Sequence, residues 1–194
     1  MEFVPFPKIP RWSTQHIVIT EKIDGTNAQI YINEECTDFQ CGSRNRWISE
    51  SDDNYGFAKW CSENRDAILS LGKGQHFGEW YGSGIQRGYG LSEKRFALFN
   101  TLRWNIPSQQ DRLKQTPFEL VPILYEGVFS DQAIEDCMAD LQANGSRAAP
   151  QFMDPEGVVI YIPGSRSLFK YTFNNKHKGE WKQPDLEKMN VQSM

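Results

Sequence analysis

"HIVITEKIDGTN", residues 16 to 27, decides how the rest of the chain is read. Ile17, Val18, Ile19 and Thr20 are consecutive β-branched residues, stiff at χ1 and suited to a strand. Lys22 falls where that strand ends, and Gly25 supplies a point where the backbone can bend and approach another group closely. A lysine at a strand end is ordinarily solvated. To act as a nucleophile it must be the neutral amine, so its pKa has to fall from about 10.4 through nearby cations or desolvation. Taken alone, K-x-D-G is too short to choose between the two.

Working outward, further strands are expected at Ala28 to Ile32, Phe39 to Gly42, His76 to Tyr81, Phe96 to Leu102, near Val121 to Glu126, Gly157 to Ile162 and Leu168 to Phe173. Several alternate apolar and polar residues, as half-buried antiparallel strands do. From Asp52 to Leu71 the apolar positions Phe57, Trp60, Cys61, Ala67, Ile68 and Leu71 recur at helical spacing, with Ser51 or Asp52 as the cap. A second helix follows Ser130, with Ile134, Cys137, Met138 and Leu141 on one face and Gly145 at its end. The expected class is α+β, mainly antiparallel sheets flanked by helices.

Composition narrows the function. A chain of 194 residues with 39% hydrophobic, 13% aromatic and 24% charged residues has enough apolar side chains for a core. No stretch approaches the roughly 18 to 20 apolar residues of a membrane span, and the start lacks the pattern of a signal peptide, so a cytoplasmic protein without membrane association is expected. Cys36, Cys41, Cys61 and Cys137 are irregularly spaced and read as reduced thiols, not as zinc ligands. The net charge of -4 argues against a protein that simply coats nucleic acid. Locally the balance differs: Arg166, Lys170, Lys176, Lys178 and Lys182 make the stretch 164 to 183 basic.

Four other places carry candidate chemistry. In "HFGEWYGSGIQRGYG", residues 76 to 90, Glu79 sits between glycines and aromatics, where a carboxylate can accept hydrogen bonds from a sugar hydroxyl. In "RFALFN", residues 95 to 100, Phe96 and Phe99 point to opposite faces; one belongs in the core and the other can stack on a base. Glu156 precedes a glycine and a β-branched strand in "DPEGVVIY". In "SLFKY", Lys170 lies between aromatics, which is costly unless its head group meets solvent or an anion.

In order, these pieces resemble the covalent nucleotidyltransferases, most closely their ATP-dependent RNA ligase branch of the nick-sealing, bacteriophage type. "EKIDGTN" resembles the nucleophile motif, "CGSRNR" the arginine motif and "FGEWYGSGIQ" the ribose-binding motif. "RFALFN" resembles the adenine-stacking motif, "EGVVIY" the metal-binding glutamate motif and "LFKY" the closing lysine motif. The resemblance implies a nucleotidyltransferase (ATP-grasp-like ligase) domain over residues 1 to 175, followed by a basic tail, 176 to 194. Lys22 becomes the adenylated lysine, and the backbone at Glu21 helps read the adenine. Asn27 lies near the phosphates, Arg44 meets the nucleotide or the RNA end, Glu79 holds the ribose and Phe99 stacks on the base. Lys170 meets the α-phosphate, and Glu156 supports Mg²⁺ or Mn²⁺.

The implied reaction uses ATP to form a lysine-AMP intermediate, moves AMP to an RNA 5′-phosphate and seals it to a 3′-hydroxyl in a nicked or duplex RNA, with the protein as a monomer. Two positions depart from the family pattern. Thr172 stands where a second closing-motif lysine is common, with Lys176 or Lys178 as substitutes, and Tyr161 stands where the glutamate motif often ends in lysine. Only 24 residues follow Lys170. No oligonucleotide-binding-fold domain fits there, which favours RNA ligase over DNA ligase or capping enzyme. A small DNA ligase, or a degenerate protein that binds a nucleotide or RNA end without sealing, are the alternatives.

Overall fold

The computed structural model describes residues 3–9 and 14–174, so the tail from 176 to 194, with Lys176 and Lys178, lies outside the described residues. Two sheets make the architecture. The first has four antiparallel strands in the order β10-β9-β1-β8, with β1 His16–Lys22, β8 Ile123–Val128, β9 Gly157–Ile162 and β10 Ser167–Thr172. The second has six strands in the order β4-β3-β2-β5-β6-β7: Trp47–Ile48, Phe39–Ser43, Thr26–Ile32, Gly74–Gly82, Lys94–Leu98 and Phe118–Leu120. All its pairs are antiparallel except β6 with β7. The α+β class holds.

β1 runs between β8 and β9, so five consecutive residues from Ile17 to Glu21 are buried, the apolar Ile17, Val18 and Ile19 followed by the polar Thr20 and Glu21. Ile17, Ile19, Val158, Ile160 and Ile162 pack against α5 (Asp131–Asn144) through Ala133, Cys137, Met138 and Leu141. Ser130 caps that helix by accepting the Ala133 amide at 3.1 Å, and Gly145 ends it, as expected. The second sheet buries Ile30, Ile32, Trp80, Phe96 and Leu98 against Phe57, Cys61, Ile68, Trp104 and Leu113 of the helices on its outer face. A third cluster of Ile23, Tyr81, Tyr89, Ala97, Val121 and Ala149 joins the two sheets at the β1–β2 link.

Three expectations are corrected. The helix read from Asp52 to Leu71 is two helices, α1 Phe57–Glu63 and α2 Arg65–Ser70, broken at Asn64, whose side-chain amide donates to the Trp60 carbonyl at 2.8 Å. Its N-terminal amides are met by the Asp53 carboxylate, which accepts from Ala58 at 2.8 Å and Lys59 at 3.1 Å; Ser51 and Asp52 are not the cap. The strand read from Phe96 to Leu102 stops at Leu98, because Asn100 caps α3 (Thr101–Trp104) by accepting the Arg103 amide at 3.1 Å. α4 (Pro107–Leu113) follows. Among the described residues no helix is long and apolar enough to cross a membrane, and all four cysteines are free.

Candidate active site

Lys22 is the last residue of β1 and pairs in register with Gly157, the first of β9. That register sets Glu156 beside it: the Lys22 Nζ to Glu156 Oε2 distance is 2.5 Å, with the side chains only 24% and 19% exposed. Gly157 is required here, since a Cβ would lie 2.2 Å from the Tyr171 carbonyl oxygen of β10 and φ is +144°.

Past Lys22 the chain turns through Gly25 into β2. A Cβ on Gly25 would lie 2.4 Å from the Trp80 carbonyl and 3.0 Å from Glu79 Cγ, so only glycine lets this turn approach β5. Glu79, buried on β5 opposite Asn27, accepts from the Gly25 amide at 3.0 Å and from Asn27 Nδ2 at 2.8 Å. Arg44 Nε in turn donates to Asn27 Oδ1 at 2.9 Å, forming a chain from Arg44 through Asn27 to Glu79. Burial pushes the Glu79 carboxyl up to about 7. The Asn27 and Gly25 hydrogen bonds and the Lys22 charge oppose that rise, and Glu156 adds to it. Lys22, Glu156 and Glu79 therefore feel one another's charge. Each Glu79 oxygen keeps a lone pair for a hydroxyl donor.

Lys170 on β10 pairs with Val159, which pairs with Thr20, while Thr172 pairs with Gly157, which pairs with Lys22. With the period of two, Lys170, Thr172, Tyr161 and Lys22 share one sheet face. Both departures thus lie on the face that carries the lysines. Phe96 is fully buried and Phe99 is 40% exposed, its amide donating to the Phe77 carbonyl at 2.9 Å. The Glu21 side chain turns to the opposite face, where it accepts from Ser146 Oγ (2.6 Å) and the amides of Arg147 (2.7 Å) and Ala148 (3.0 Å). Its own N–H donates to the Pro122 carbonyl at 2.9 Å, so any main-chain contact it makes to a ligand goes through its carbonyl.

Residue reasoning missed the clamp behind these groups. Arg87 Nε donates to Asp24 Oδ2 at 2.9 Å, and its Nη1 reaches the Asp154 carbonyl at 2.9 Å and carboxylate at 2.8 Å. Tyr89 Oη accepts the Asp24 amide at 2.8 Å. The turn after Lys22 is thereby tied to the loop before Glu156. The glycine-rich "GIQRGYG" marked the segment, but no spacing rule says what Arg87 touches.

Among the described residues no cluster of three or more His, Cys, Asp or Glu is placed to hold a metal by itself. A single carboxylate, Glu156, fits a hydrated Mg²⁺ or Mn²⁺ that takes its remaining ligands from water and phosphates.

The family model described as RNA ligase matches residues 15–172. The chain belongs to the RNA ligase family. Solved structures of Naegleria gruberi RNA ligase share the fold. The form with PPi has a TM-score of 0.61 at 20% identity, covering 83% of this chain and 50% of that one. A mutant with ATP and Mn gives 0.59 at 20%, covering 84% and 51%. Another with AMP and Mn gives 0.57 at 19%, covering 83% and 50%. This family member spans about half the length of those proteins. No curated protein matches it by sequence.

Proposed function

We propose that this chain is the adenylyltransferase domain of an ATP-dependent RNA ligase, residues 1 to 175, with Lys22 as the nucleophile. The observation that supports it most is the register that sets Lys22, closing β1, beside Glu156, just before β9, with the buried Glu79 in electrostatic reach of both, so that a lysine, a carboxylate able to hold a cation and a hydroxyl acceptor converge. Membership of the family and the shared fold with a ligase solved with ATP, AMP and Mn support the same reading.

In this reading the Lys22 amine attacks the α-phosphorus of ATP. A P–N bond forms, the bond to the β-phosphate oxygen breaks in line, and pyrophosphate leaves. Glu156, which meets Lys22 when no cation is bound, would hold the divalent cation, and that cation together with Lys170 would favour the uncharged amine. Bound Mg²⁺ or Mn²⁺ supplies neutralisation of the phosphate charge. Lys170, on the same sheet face as Lys22, meets the α-phosphate. Glu79, braced by Gly25 and Asn27, accepts a ribose hydroxyl, Phe99 stacks on the adenine, and the Glu21 carbonyl reads its edge. Arg44, held by Asn27, reaches the nucleotide or the 5′-phosphate of the RNA. AMP then passes to that phosphate, and a 3′-hydroxyl displaces it to seal the strand. Positioning supplies much of the rate.

The test is transfer of label from ATP labelled on the α-phosphate, first to protein and then to 5′-phosphorylated RNA, with sealing compared on RNA and DNA nicks. The reading expects protein label, AMP-capped RNA and preferential sealing with RNA ends. No protein label overturns it, and equal sealing of all-DNA nicks assigns a DNA ligase. Thr172 and Tyr161 on the lysine-bearing face favour a second reading, a protein that charges with AMP and holds RNA ends without sealing; AMP-capped RNA accumulating without joined product identifies it.

A further inference from the structure

The face of the six-stranded sheet that carries Glu79 extends beyond the proposed nucleotide site. Two residues along β5, about 7 Å away, Phe77 lies on the same face and is 53% exposed. The register runs from Phe77 to Gln29 on β2, then Gly42 on β3, then Trp47 on β4. Trp47 is 51% exposed, and its neighbour Ile48 packs into the core, so the indole points to the Glu79 side. Three strand spacings put Trp47 about 14 Å from Phe77. Between them Gln29 is fixed, donating to the Ser43 carbonyl at 2.8 Å and accepting from Gln75 at 2.5 Å. Its amide keeps one N–H and one lone pair for a ligand. Beyond Glu79, this face of β2, β3 and β5 carries no carboxylate, in a chain of net charge -4.

We infer that this row docks unpaired nucleotides of the RNA strand leading into the adenylylation site, with Phe77 and Trp47 as stacking platforms and Gln29 as the hydrogen-bonding group between them; the inference rests on the ligase reading above. Aromatic rings half exposed on a sheet present a π face on which any base can stack. A carboxylate-free strip with fixed neutral amides accepts a polyanion without repulsion. Continuity with Glu79, two residues along one strand, sets the occupant: the polymer whose end reacts there. Stacking on protein rings requires bases that are not already stacked in a helix, which specifies unpaired nucleotides next to the break and not a continuous duplex.

The test measures binding of the full chain, without ATP, to a 5′-phosphorylated single-stranded RNA and to a nicked RNA duplex with no unpaired nucleotides. Phe77→Leu and Trp47→Leu are each expected to weaken single-strand binding at least about fivefold, Phe77→Tyr to restore it, and duplex binding to change less than twofold. Leucine variants that bind the single strand as tightly as the parent overturn the inference, as does an equal loss on the duplex or a change in oligomeric state that shows the face covered by a second copy. Lys22 labelling is read in parallel on the parent. Normal labelling with unaffected RNA binding removes the track and keeps the ligase. Ring-dependent RNA binding without labelling removes the ligase and keeps an RNA-binding face.

Discussion

Glu79 shows how burial prepares a side chain for two tasks. With its carboxyl pushed up to about 7, it is half protonated near neutrality, while the unfolded chain would lose that proton near 4.5. Between those values the folded state holds more protons than the unfolded one, so this group's contribution to stability falls as pH rises from about 4.5 to 7. Glu79→Gln removes the titration. The stability difference between the two proteins should shift by on the order of 3 kcal/mol across that window, read by chemical denaturation at several pH values. Glu79→Ala leaves the Gly25 amide and Asn27 without their acceptor and should slow adenylylation by roughly 5- to 150-fold. Glu156→Gln removes the carboxylate that would hold the divalent cation beside Lys22; a drop of roughly 10- to 150-fold in labelling with ATP and Mg²⁺ is expected. The types and order of these residues were legible in the sequence, because each stands beside a glycine or at a strand end. That Asn27 bridges Arg44 to Glu79 was not, since it depends on the pairing of β2 with β5.

At the scale of elements, the strands were read closely and the helices less so. Alternation and β-branching mark β2 and β9 whatever they pair with, whereas the break at Asn64 and the cap at Asn100 turn on single polar side chains competing with backbone. β4 and β7, of two and three residues, are too short to show any period. The site depends on connections between elements, and Arg87 is the main one. With its side chain 18% exposed and joined to Asp24 and Asp154, it fixes the distance between the ends of β1 and β9 that present Lys22 and Glu156. Arg87→Ala should lower the rate of lysine adenylylation at saturating ATP by about tenfold or more, with a smaller change in KM for ATP. Arg87→Lys, which cannot span both acids in the same way, should recover only part of the rate. An equal change in KM and rate, or full recovery with lysine, would count against the clamp.

Over the whole molecule, two sheets with separate cores meet at a third cluster that includes Ile23, and the proposed site residues Lys22, Glu79 and Glu156 lie beside that seam. The separation has a consequence for stability. Leu141 is fully buried between α5 and the four-stranded sheet, away from Lys22, so Leu141→Ala should cost about 2 to 5 kcal/mol in unfolding free energy. The small core of that sheet should loosen first. The pairing of distant segments, residue 22 with 157 and 27 with 79, is what no local pattern could supply; the motif order named the segments but not which of them pair. The central claim is that this seam makes Lys22 a nucleophile toward ATP. Intact-mass measurement after incubation with ATP and Mg²⁺, followed by peptide mapping, tests it most directly. The account predicts a gain of one AMP per chain, on the peptide containing Lys22, absent from Lys22→Ala and reversed by pyrophosphate; an unchanged mass, or an AMP carried on another residue, would contradict it.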